Sequence, residues 1–156
     1  MTSRRQFLAL ACGALAAGQS AAQLDPNIQA RRAAALESAI RKVTGGKPVR
    51  EGKVKLELPP LVDNGNTVPL SVSVASPMTS ADHVKAIHVL TEKNPQPYVV
   101  SAYLGPRAGR ASIATRARIA DSGRVIAIAQ LSDGSFWSAT VSVVVTLSAC
   151  LEDGLI

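Results

Sequence analysis

The residue best suited to chemistry is a cysteine near the end of the chain, Cys150, set in Ser148-Ala149-Cys150-Leu151-Glu152-Asp153-Gly154-Leu155-Ile156. Its thiolate is the one strong nucleophile expected in the mature protein, because the only other cysteine, Cys12, falls in a segment that export is expected to remove. A lone thiol has no disulfide partner in its own chain. Near a chain end it suits presentation to other molecules better than confinement in a rigid pocket.

Other constellations are weaker. His83 and His88 stand five apart, so in one regular strand they point to opposite faces and do not share a metal; with no second cysteine the sequence predicts no metal site and no cofactor. Chain order permits a Ser/His/Asp arrangement, yet no nucleophile elbow is present. A Cys150–histidine pair would need a rigid pocket that a near-terminal tail does not offer. The 11 acidic residues are scattered through turns and charged faces, without a paired-carboxylate pattern. In Leu104-Gly105-Pro106-Arg107-Ala108-Gly109-Arg110, a tight glycine- and proline-bearing loop could offer N–H groups, Arg107 and Arg110 to an anion or a partner. A solvated turn fits the same residues. Arg116 and Arg118 fall on one face of a predicted strand and, with Arg124 after the next turn, make a candidate basic patch.

The elements that position these residues begin after an export signal. Ser3-Arg4-Arg5-Gln6-Phe7-Leu8, the apolar run Ala9–Ala17 and the small residues Ser20 and Ala22 read as a twin-arginine signal peptide over residues 1–22, cut ahead of Gln23. A lipoprotein anchor at Cys12 is the rival reading, although Ala9 stands where a lipobox takes Leu. The expected compartment is the periplasm, reached in the folded state and in some cases with a docked partner. Residues 23–156 suit one domain with a core of its own. Loss of Arg4 and Arg5 takes the net charge from +6 to +4. With no dense Lys/Arg run and only Tyr98, Tyr103, Phe136 and Trp137 as mature aromatics, the sequence predicts neither a nucleic-acid partner nor, beyond the signal, a membrane span.

Asp25 as N-cap and Pro26 at the first helical position open a helix. Ile28, Ala33, Leu36, Ala39, Ile40 and Val43 make its apolar stripe, Arg31, Arg32, Glu37, Arg41 and Lys42 its polar face, and Gly45-Gly46 its end. The stripe is expected to pack on this chain's own sheet, with a partner's surface as the alternative. The period then changes to two. Strands are predicted around Val54–Leu58, Val68–Val74, Val84–Val89 with a bulge near its start, Tyr98–Leu104, Ala111–Ala120, Arg124–Leu131 and Phe136–Leu147. About seven short strands separated by turn residues, with one helix, predict an all-β, immunoglobulin-like antiparallel β-sandwich carrying an N-terminal α-helix, with no inter-sheet disulfide. A barrel of the same strands satisfies the same pattern. The organisation is residues 1–22 signal, 23–147 helix plus sandwich, and 148–156 a C-terminal arm.

Several stretches in order and spacing resemble the SoxY family of periplasmic sulfur-carrier proteins: Leu58-Pro59-Pro60-Leu61-Val62-Asp63-Asn64-Gly65-Asn66-Thr67-Val68-Pro69, Ser76-Pro77-Met78, Val84-Lys85-Ala86-Ile87-His88, Glu92-Lys93-Asn94-Pro95, the loop 104–110, and Ser132-Asp133-Gly134-Ser135-Phe136-Trp137. The resemblance implies a sandwich paired with a second sandwich subunit, SoxZ. It also implies sulfur intermediates carried covalently on Cys150, with no catalysis by the carrier itself and presentation in turn to periplasmic sulfur-metabolism enzymes. The arm departs from the glycine-rich pattern. Carriers serving thiosulfate oxidation end in Gly-Gly-Cys-Gly-Gly, whereas here Ser148, Ala149, Leu151 and Glu152 surround Cys150, which resembles a SoxY-related variant group with an Ala-Ala-Cys-Ile-Glu arm. Side chains in place of glycines thicken the arm and restrict its backbone, and Glu152 and Asp153 disfavour a nearby thiolate. Two other classes remain open on the residues alone: a binding module whose activity survives Cys150→Ser, and a thiol-based redox enzyme that turns over by itself with a reductant.

Overall fold

The computed structural model describes residues 26–147. Asp25, the signal 1–22 and the arm 148–156 lie outside the described residues. One helix, α1 (Pro26–Thr44), precedes nine strands: β1 (Val49–Glu51), β2 (Val54–Glu57), β3 (Leu61–Asn64), β4 (Val68–Val74), β5 (Val84–Thr91), β6 (Tyr98–Tyr103), β7 (Ser112–Ala117), β8 (Gly123–Leu131) and β9 (Phe136–Leu147). A six-stranded sheet runs β1-β9-β8-β5-β6, with β3 beside β9 as well, and faces a three-stranded sheet β2-β4-β7. The all-β sandwich with an N-terminal helix is the architecture expected from the two-residue period.

Two strands exceed the seven expected, and both are parallel to β9. β1 pairs with its first residues (Val49↔Phe136) and β3 with its last (Leu61↔Val144, Asn64↔Leu147). Each is three or four residues long, too short for alternation to declare it. The segment expected over 111–120 is a strand only from Ser112 to Ala117. The bulge expected early in the third long strand is present as a register shift between Val84 and Ala86.

The core follows from strand alternation. Val68, Leu70, Val72 and Val74 of β4 point inward and meet Ile87 and Val89 of β5, Val125 and Ala127 of β8, and Val143 and Val145 of β9. Each fully buried aliphatic side chain contributes about 1.5–3 kcal/mol. A second cluster lies on the other side of the large sheet, where α1 lays Leu36 and Ala39 on Leu90, Ile126, Ile128 and Phe136. The helix therefore packs on its own sheet, as its amphipathic stripe implies. Tyr98 adds an O–H donor to the Ala39 carbonyl at 3.3 Å. The helix ends in a glycine cap: Gly45 (φ 62°) and Gly46 (φ 78°) turn the chain left-handed, and Gly46 N–H reaches the Arg41 carbonyl.

Two helical residues exchange the roles expected of them. Arg32, assigned above to the polar face, is buried, and Ala33, assigned to the apolar stripe, is exposed. The stripe runs through 32, 36, 39 and 43, so Arg32 sits one turn before Leu36 on the helix's buried side. Ala33 falls at the margin of that stripe.

Candidate functional site

The arm is the continuation of β9, the longest strand at 12 residues. Its last turns are fastened from both sides. Val145 N–H donates to Ser122 Oγ at 2.9 Å, and Ser122 Oγ donates to the Val145 carbonyl at 3.3 Å. On the other side Val144 N–H donates to the Pro60 carbonyl at 2.9 Å, and Thr146 Oγ1 to the Asp63 carbonyl at 3.3 Å. Parallel pairing with β3 continues to Leu147. The backbone is therefore held to within three residues of Cys150. Covalent geometry limits the thiol-bearing residue to about 11 Å from Leu147. Cys150 and its neighbours Ser148, Ala149, Leu151 and Glu152 lie outside the described residues.

Around that root stand three connections: the 65–67 turn, the 92–97 loop and the 118–122 segment. They are cross-braced. Asn94 Nδ2 donates to the Arg118 carbonyl at 2.8 Å while Asn94 Oδ1 accepts from Ala120 N–H at 2.8 Å, and Ile119 N–H donates to the Gly65 carbonyl at 2.8 Å. Leu61 and Val144, Cα partners on the outer face of the large sheet, leave 59% and 53% of their surface exposed beside the arm root. Glu92 and Arg124 pair at 3.1 Å, and the Arg124 guanidinium holds the Glu92 carboxyl below the usual carboxylate range.

The basic residues singled out above do not assemble. Arg107 and Arg110 are exposed around a 3-10 turn, Pro106–Ala108, that follows β6 at the opposite end of the sandwich. The length of β4, whose Val68 pairs with Ala117 and Ser73 with Ser112, separates that turn from the arm root by about 20 Å. The candidate patch of Arg116, Arg118 and Arg124 is corrected as well. Arg116 lies on the outer face of the small sheet, Arg118 follows the end of β7, and Arg124 sits on the outer face of the large sheet, paired with Glu92. Strand period alone cannot show which of two sheets a strand joins.

The histidines are also apart. His83 precedes β5 and its Nδ1 lies 3.1 Å from the Thr79 carbonyl oxygen, whereas His88 is buried on β5 with Nδ1 2.8 Å from Ser101 Oγ and its ring edge-on to Tyr103 at 5.9 Å. Among the described residues no group of three His, Cys, Asp or Glu side chains could hold a metal ion. Burial pushes the His88 imidazole below its usual pKa. As pH falls the unfolded chain takes up the His88 proton first, so stability is full above about 6.5. It declines as pH drops through that value and levels off below the lowered folded value. In His88→Gln this contribution is expected to vanish, leaving a flatter melting temperature between about pH 8 and about pH 5; an unchanged slope would refute it.

Asn94, Ser122 and Thr146, the residues that fasten the arm root, received no role from sequence reasoning. Asn94 lay inside the quoted stretch 92–95, but Ser122 and Thr146 carry no signal beyond a turn residue and an exposed strand position. No helix among the described residues is long and apolar enough to cross a membrane. The family model described as sulfur oxidation protein SoxY matches residues 40–150. Among solved structures, the sulfur carrier protein SoxY from Chlorobium limicola f thiosulfatophilum is 27% identical, with a TM-score of 0.62, covering 74% of this chain and 99% of that one. A superoxide reductase (neelaredoxin) from Ignicoccus hospitalis is 19% identical, with a TM-score of 0.55, covering 60% of this chain and 80% of that one, and shows likeness of fold alone. Among curated proteins no relative matches.

Proposed function

This chain belongs to the SoxY family of sulfur oxidation proteins, and from that membership we propose that it is an exported sulfur carrier that holds sulfur intermediates covalently on Cys150. The observation that carries the reading is the root of the arm: the last strand is hydrogen-bonded on one edge as far as Val145 and paired on the other as far as Leu147, and the family match runs to residue 150. A strand fastened on both edges this close to a thiol is suited to presenting cargo.

Loading would join the Cys150 sulfur to the sulfur of a reduced inorganic sulfur anion. One S–S bond forms, the thiol proton leaves to solvent, and two electrons pass to an acceptor belonging to the loading enzyme. Only about 3% of an ordinary thiol is ionised at neutral pH. With Glu152 and Asp153 beside it, activation of the thiol falls to the enzyme that loads it. Arg107 and Arg110 would contact an enzyme or an anion far from the arm root. The thicker, SoxY-variant type of arm favours client enzymes with a wider entrance than a glycine arm needs. The periplasm and the twin-arginine route follow from residues 1–22.

A second sandwich subunit of the SoxZ kind completes the reading, with the exposed Leu61–Val144 pair offering it apolar contact beside the arm. Intact-mass measurement of the protein recovered from sulfur-fed cells is the test. Adducts of sulfur, sulfite or thiosulfate mass on Cys150 are expected, and an unmodified thiol under every feeding condition would overturn covalent carriage. Co-expressed with a signal-less SoxZ-like subunit, the protein is expected to purify as a heterodimer.

A further inference from the structure

Helix α1 covers the outer face of the large sheet, but among the described residues nothing covers the outer face of the small one. An open groove of about 670 Å³ runs there. Leu58 and Pro59, leaving β2, form one wall; Pro69 of β4 makes the floor; Ala114 and Arg116 of β7 form the other wall. The charges in it are unequal. Glu57 is already engaged by Lys55 and by the Ser71 hydroxyl, whereas the exposed Arg116 guanidinium has no ion pair among the described residues. The groove thus offers an apolar cleft with one uncompensated positive charge.

It also opens at the arm end of the sandwich. Its lip, Pro59, precedes Pro60, whose carbonyl accepts the Val144 N–H three residues before Leu147. The nine residues 148–156 can span about 30 Å when extended, against about 10 Å between packed sheets, enough to round the end of the sandwich. Their sequence complements the groove: Leu151 is apolar, and Glu152 and Asp153 are acidic.

We propose that this groove is the resting site of the chain's own C-terminal arm, with Leu151 against Leu58, Pro59 and Pro69, and Glu152 at Arg116. Seating holds Cys150 against the body of the protein until a client competes for the arm, and the side chains that thicken this arm relative to a glycine arm are the ones that make a seat useful. The inference concerns the same arm as sulfur carriage but does not depend on cargo.

Disulfide trapping in the full chain tests it and reads arm position alone. In a Cys150→Ser background, Asp153→Cys is combined with Ala114→Cys in the groove or with Ser142→Cys, an exposed position on β9 on the opposite face of the sandwich. Arg116 and Glu152 stay in place. An intramolecular disulfide is expected to form about tenfold faster at position 114 than at 142, the gain set by effective concentration. Equal or slower trapping at 114 overturns the seat, as does predominance of disulfide-linked dimers, which would assign the groove to a second copy. In the otherwise native chain, Leu151→Asp is expected to shift the backbone amide resonances of Ala114–Arg116 and leave those of residues 105–110 unmoved; silence at 114–116 also overturns it.

Discussion

Replacing Cys150 with serine is expected to remove every sulfur adduct from the exported protein while leaving its melting temperature unchanged. The chain holds two cysteines, Cys12 and Cys150. With the signal 1–22 cut away, no other sulfur nucleophile is left, so the loss is complete rather than graded. The neutral effect on stability has a separate cause. The two clusters that hold the fold, one between the sheets and one under α1, are built from residues 36–145. Serine keeps the arm's size and removes only the thiol. Adduct masses persisting on Cys150→Ser would move the attachment site elsewhere, and unaltered sulfur-dependent activity of the variant would favour a binding module without covalent cargo. Turnover by the wild-type protein alone with a reductant would favour the redox enzyme.

What the sequence showed and what it hid divide along a physical line. Long strands declare themselves, because Val68, Leu70, Val72 and Val74 place one apolar residue every second position and each is buried in the core. The helix and its glycine stop are local events, fixed by residues within two turns of each other. β1 and β3 are made by pairing with β9, more than 80 residues away, and nothing in three or four residues announces such a partner. The same limit defeated the basic patch: Arg116 and Arg124 are eight residues apart in sequence and on opposite faces of the sandwich. The arm cysteine was conspicuous by its isolation, but its root was not. Ser122 meets Val145 across 23 residues through a single hydroxyl, a contact with no periodicity to reveal it.

Asn94 shows how a family stretch can be structural while lying beside the functional end, and its removal is the second large effect expected. Its carboxamide donates to the Arg118 carbonyl and accepts from Ala120 N–H, each at 2.8 Å, so one side chain pins the segment that leads from β7 to β8. That segment carries Ile119, 1% exposed, whose N–H reaches Gly65 next to the Asn64–Leu147 pair. Asn94→Ala leaves the N–H of buried Ala120 without its acceptor. A loss of about 2 kcal/mol is expected. For a domain of this size that lowers the melting temperature by about 5–10 °C. Asn94→Asp keeps the acceptor for Ala120 but sets a carboxylate against the Arg118 carbonyl, so it should lie between Ala and wild type at low pH and move toward Ala as the carboxyl ionises. The exposed Gln96, two residues on, supplies the control: Gln96→Ala should melt with wild type. If Asn94→Ala melts with it too, the brace contributes nothing. If the brace holds as its geometry implies, Asn94→Ala should also slow loading of Cys150 at temperatures where the protein stays folded, because the strand that carries the arm would then lean on a loosened neighbour.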